Sequence, residues 1–101
     1  MVKVFCDGSI EVKNVDGYTF NPTLMKGTKN YSVFGRYAAR DVSPKPISFE
    51  VIADDFPTME AQAREIASWG ENVFIKLPVT NSKGESSERL IRLLASQGLK
   101  L

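Results

Sequence analysis

Apolar runs that read as strands begin near residues 2, 18, 47, 73 and 99, and the last three starts lie 26 residues apart. That interval is the length of one strand plus one covering helix, the repeating unit of all-parallel α/β proteins. Right-handed crossovers then place helices over a sheet whose carboxyl ends carry the loops. Two architectures use this unit: an open doubly wound sheet and a (β/α)8 barrel. The spacing alone does not choose between them. Four complete strands of a barrel form an open sheet with unpaired edges.

Local signals divide the chain in the same way. Residues 2–6 (V-K-V-F-C) form a short strand stopped by the turn pair Asp7-Gly8. Residues 9–16 read as one or two helical turns at most, or as an extended piece. A second strand at 18–20 ends where Pro22 forces Asn21 towards extended geometry. Asn30 is placed to cap a helix over 31–42, with Tyr31, Phe34, Tyr37 or Ala38, and Val42 as its apolar stripe. A third strand is expected at 47–53. A helix over 59–69 follows, with Thr58 as cap candidate, Met59, Ala63, Ile66 and Ala67 on one face, and Gly70 as its stop. The fourth strand falls in 73–81. A last helix from about residue 87 carries Leu90, Ile91, Leu93 and Leu94, and 99–101 read as the start of another strand.

Bulk properties exclude several function classes. The length of 101 residues suits one domain, 1–101. Thirteen basic and twelve acidic residues are mixed without blocks, so no nucleic-acid partner is expected. No apolar run reaches the roughly 18 residues of a membrane span, and no leader is expected. The single Cys6 rules out an internal disulfide and suits a reducing, cytoplasmic setting. With no histidine, neither a Ser-His-Asp triad nor a histidine-based metal site can be built, and neither metal nor cofactor is expected. Chemistry must use carboxylates, hydroxyls, amides or an amine.

One amine stands out. Lys76 sits inside the apolar run V-F-I-K-L-P-V, where a lysine needs a reason to be. It is either an ion-paired or snorkelling side chain, or an amine kept deprotonated to attack a carbonyl. A free lysine, with a pKa of about 10.4, is almost wholly protonated at pH 7. Burial would lower that value, and a neighbouring carboxylate alone would raise it. Three other polar residues stand at related places: Asp7 and Asn21 at the ends of the first two strands, and Glu50 within the third. Parallel α/β folds bind ligands at the strands' carboxyl ends, where these four could converge. Taken singly, Asp7 and Asn21 read as turn formers and Glu50 as a solvated strand residue.

The segments V-F-C-D-G at 4–8, G-Y-T-F-N-P-T-L-M at 17–25, S-F-E-V-I-A-D at 48–54 and N-V-F-I-K-L-P-V-T at 72–80 stand in a specific order. In these the chain resembles the transaldolase family, class I aldolase-type (β/α)8 enzymes, and in particular the short branch with the fructose-6-phosphate aldolase-like proteins. The likeness covers nearly the whole chain but only the first half of a family member. It implies a partial TIM barrel that transfers a dihydroxyacetone unit between sugar phosphates, as in the pentose phosphate pathway.

By the same resemblance, Lys76 would form the Schiff base and Asp7 would take the proton of the C4 hydroxyl. Asn21 would hold substrate hydroxyls, and Glu50 would move protons through a water. A glutamate at position 50 favours the transaldolase branch over the aldolase branch, which usually has glutamine. Two departures shape the expectations. The stretch between Asp7 and Asn21 is shorter than the family's, so the first outer helix should be shrunken or absent and the first two strands poorly paired. The later groups that bind the catalytic water and grip the substrate phosphate have no counterpart before Leu101. Activity of this chain alone should be weak or absent. The alternative is a non-catalytic half-barrel that self-associates as a homo-oligomer or completes another chain. A small doubly wound binding domain is a third option.

Overall fold

A computed structural model describes residues 3–20 and 31–101. Among the described residues four strands form one parallel sheet: β1 (Phe5–Asp7), β2 (Gly17–Phe20), β3 (Ile47–Glu50) and β4 (Val73–Lys76). The described helices are α1 (Tyr31–Val42), α2 (Phe56–Ala67) and α3 (Glu88–Ser96). The spatial order is β1-β2-β3-β4, each strand beside its neighbour in sequence. A doubly wound sheet reverses its order at a switch point, and among the described strands there is no reversal. Crossovers of one hand then put every helix on the same face. This is the winding of a barrel wall, an incomplete (β/α)8 arrangement.

Side-chain alternation confirms which face the helices cover. Ile47 and Phe49 of β3, and Val73 and Ile75 of β4, are buried against Ala38, Ala39, Met59, Ala63, Ile66 and Leu94 from the helices. Their neighbours Ser48, Glu50, Phe74 and Lys76 point the other way, because successive strand residues alternate. They are half-buried or exposed. Between the sheet and α1 lies an aromatic cluster. Phe49 stacks on Phe20 at 5.8 Å and meets Tyr31 and Trp69 edge-on at 6.0 and 5.1 Å. Trp69 is therefore a packing residue. The inner face of α1 is Gly35, Ala38, Ala39 and Val42, whereas Tyr37 is 61% exposed. Small residues are needed there because the Trp69 ring lies against the helix.

A methyl on Gly35 would run into the six-membered ring of Trp69. Gly35→Ala gains about 1 kcal/mol of helix propensity. Forcing extra volume into packed surroundings costs about 1–3 kcal/mol, and the ring is backed by Tyr31 and Phe49. The variant is expected to melt at a lower temperature than the parent, contrary to the usual effect of replacing a helical glycine. A raised melting temperature in thermal unfolding would contradict this packing.

Several boundaries differ from those expected. The cap of α2 is Asp55, not Thr58: its carboxylate accepts from the amide and hydroxyl of Thr58 at 2.9 and 2.6 Å. The helix consequently starts at Phe56 with Pro57 in its first turn, where a missing N–H does no harm, and it ends at Ala67, before Trp69. Strands β3 and β4 stop at Glu50 and Lys76, shorter than the apolar runs that contain them. Residues 9–16 hold no helix, yet β1 and β2 pair in parallel register, Phe5 with Gly17 and Asp7 with Thr19. Poor pairing was expected from so short a crossover. The extended link is tied down instead: Val4 and Asp16 bond through backbone and carboxylate, and the Tyr18 hydroxyl donates to Val12. The cap expected at Asn30 lies outside the described residues. Residues 99–101 form no regular strand, but the Ile75 amide donates to the Lys100 carbonyl at 2.8 Å. The chain thus returns to the free edge of β4.

Candidate active site

The register places the polar residues on the helix-free face. Asp7, Thr19, Ser48 and Phe74 form one rung across the four strands. Glu50 and Lys76 are paired one rung further towards the carboxyl ends. The Thr19 hydroxyl donates to the Asp7 carboxylate at 2.7 Å, which fixes that carboxylate's direction. Asp7 lies three strands from Lys76, roughly 14 Å along the sheet at the usual strand spacing. Asn21 lies outside the described residues. Three of the four expected site residues thus share one face, and two of those are immediate neighbours.

Lys76 is half-buried beside Glu50, and among the described residues the two form no ion pair. A groove of about 590 Å³ is lined by Glu50, Ile75, Lys76, Leu77, Ile91 and Leu101. It holds both a carboxylate and the amine. A larger groove of about 850 Å³ runs between the start of α2 and α3, past Phe56, Pro57, Leu90 and Leu93. It contains neither Lys76 nor Glu50, which both line the smaller groove. Leu90 and Leu94 are buried under α3, while Ile91 is half-buried and Leu93 is exposed.

Loops at the carboxyl ends of β3 and β4 are held by their own polar groups. Gln62 of α2 accepts from the amides of Ile52 and Ala53 at 2.8 and 2.9 Å. Asn81 closes the turn after β4, accepting from the amides of Lys83 and Glu85, and the Ser87 hydroxyl donates to Pro78. Asp54 joins the two loops, accepting from the amide and hydroxyl of Ser82 at 2.8 and 2.5 Å. The Ser82 hydroxyl and then its amide hold the Asp54 carboxyl below its ordinary value of 3.8. A depressed carboxylate contributes only while ionised, so the tie is complete above the ordinary value and lost as pH falls through the lowered one. Acidification below pH 3.8 is expected to shift the Ser82 amide resonance, an effect absent in Asp54→Ala.

Sequence alone singles out neither Thr19 nor Ser48 nor the Tyr31 hydroxyl. Thr19 and Ser48 show there only as polar residues alternating with aromatic and aliphatic ones, the period-two mark of a strand's second face. Tyr31 was placed in the core by its spacing, and its ring packs there. Its hydroxyl, however, donates to the backbone carbonyl of Glu50 at 3.2 Å. The phenol is pushed up to about 12, first by burial.

With this geometry in hand, comparison with known proteins is specific. The Transaldolase/Fructose-6-phosphate aldolase family matches residues 5–101. A protein of Methanococcus maripaludis (strain C7) named as a probable transaldolase is 36% identical over 88 residues, 85% of this chain and 38% of its own length. Probable transaldolases of Lactiplantibacillus plantarum and Dehalococcoides mccartyi are 33% and 35% identical over 91 and 88 residues. These alignments take in 89% and 85% of this chain and 40% and 39% of the relatives. The chain therefore spans about two fifths of the length of the curated relatives it matches.

Proposed function

The chain belongs to the transaldolase/fructose-6-phosphate aldolase family, and from that premise we propose that it supplies the Schiff-base half of a transaldolase-like site. The observation that supports this most directly is the register pair Glu50–Lys76 on the helix-free face, the amine beside a carboxylate but not paired with it. In the proposed reaction the Lys76 nitrogen adds to the C2 carbonyl of a ketose phosphate. Glu50, acting through water, gives the proton that lets hydroxide leave as water, and an iminium remains. The iminium draws in the electron pair of the C3–C4 bond while Asp7 takes the C4 hydroxyl proton. An aldehyde departs, and the three-carbon enamine stays on the lysine. Addition to an acceptor aldehyde and hydrolysis, by the reverse steps, free the enzyme. Asn21 is proposed to hold hydroxyls of the three-carbon unit.

The test is reduction. Borohydride added with fructose 6-phosphate or dihydroxyacetone should leave a stable adduct, and peptide mass spectrometry should find it on Lys76. Absence of the adduct would sink the reading.

A second reading is favoured by one observation, the β1 edge, which no other described strand pairs with and where Val4 and Phe5 are 54% and 48% exposed. In it the sheet is a non-catalytic half-barrel whose edges pair with a second copy or another chain. Sedimentation equilibrium separates the cases: a monomer at micromolar concentration removes the self-associating form.

A further inference from the structure

At the end of β3 two faces of the sheet are coupled through one backbone carbonyl. The Glu50 side chain lies on the helix-free face next to Lys76. Its carbonyl accepts the Tyr31 hydroxyl, which comes from the first residue of α1 on the opposite face. The Val51 amide, one residue on, donates to the Lys76 carbonyl at 3.2 Å. The peptide following Glu50 is therefore held on both sides, by α1 through the phenol and by β4 through its backbone. The Tyr31 ring is itself clamped, edge-on to Phe49 at 6.0 Å and to Trp69 at 5.4 Å. A phenol so fixed ties this strand end to the aromatic cluster as well as to β4.

We infer that Tyr31 is a positioning residue for Glu50: its hydroxyl fixes the backbone so that the carboxylate stands beside the Lys76 amine. The inference rests on the proposed Schiff-base role of Lys76 for its kinetic consequence, but not for its structural one. The phenol keeps its proton through the whole neutral range, since burial pushes it up to about 12. It remains a donor at every pH where the chemistry would run. Among the described residues, the titratable groups set against Glu50 are Lys76 of β4 and this phenol.

Tyr31→Phe removes only the oxygen and keeps the ring in its clamp. Trp69 fluorescence checks that the cluster is intact. The rate of borohydride-trapped adduct on Lys76 with dihydroxyacetone is measured across pH 5–9 in the parent, Tyr31→Phe, Glu50→Gln and the double variant. Losing one hydrogen bond of ordinary net strength predicts a fall of roughly three- to tenfold for Tyr31→Phe, with a displaced midpoint in the pH profile. The double variant should be no slower than Glu50→Gln, because the hydroxyl acts only through that carboxylate. Multiplying effects, or an unmoved midpoint, overturn the inference. Should the parent give no adduct, the Schiff-base proposal fails by itself, and the positioning role is judged without substrate. Carbon-13 NMR of the Glu50 carboxyl at pH 7 then decides: a chemical shift that moves in Tyr31→Phe sustains it, and an unchanged one overturns it.

Discussion

Lys76→Met is expected to abolish covalent trapping of dihydroxyacetone while leaving the fold intact. Methionine has nearly the length of lysine and fits the half-buried position between Ile75 and Leu77. It has no electron pair able to form an imine. Removing the covalent nucleophile should lower adduct formation at least about 10³-fold, the scale on which such deletions act. Lys76→Arg sharpens the experiment. It keeps the positive charge beside Glu50, but a guanidinium stays protonated at every accessible pH and does not attack carbonyls. Both variants should therefore be silent in the trapping assay and normal in circular dichroism. If arginine trapped substrate as lysine does, the nitrogen would be serving as a charge, and the Schiff-base proposal would be wrong.

Phe49→Ala is expected to be the most damaging single truncation in the sheet. Phe49 is fully buried and touches Phe20, Tyr31 and Trp69, so its removal opens a cavity between β3, α1 and the end of α2. Phenylalanine-to-alanine changes in cores cost about 3–5 kcal/mol, out of a typical total of about 5–15 kcal/mol. For a chain of this size the melting temperature should fall by roughly 12–40 °C. Phe74→Ala is the control. Phe74 lies on the other face, is 37% exposed, and carries the Lys100 ammonium over its ring at 5.6 Å. Its truncation should cost less than half as much in calorimetry. Equal losses would mean that the helix-free face is packed as tightly as the helix-covered one.

These variants mark where the sequence was legible and where it was not. Strand positions, helix α1 and the set of polar residues could be read because parallel strands buried on one face leave short apolar runs at regular intervals. Choosing a barrel wall over a doubly wound sheet needed the strand order, which no local pattern contains. The strand ends were hidden for a related reason: Val51 and Leu77 continue the apolar patterns of their strands, and the stop is visible only in the register, which ends at Glu50 and Lys76. The cap at Asp55 was missed because Thr58 is an equally good cap by residue type; the carboxylate wins by accepting two bonds at once. At the site, the pairing of Glu50 with Lys76 depends on register, and the Tyr31 hydroxyl's contact with Glu50 spans 19 positions. Spacing arguments within one element reach neither.

The strand order has a consequence for how the molecule is made. Each strand docks on the one synthesised just before it, reaching back no more than about thirty residues. A nascent chain can therefore lay down one strand-and-helix unit at a time on the finished part, with the newest strand always the growing edge. Glu50 stands on the strand that precedes that of Lys76, so its strand is the edge on which β4 docks. Of Asp7, Glu50 and Lys76, the amine is carried by the last strand to join the sheet.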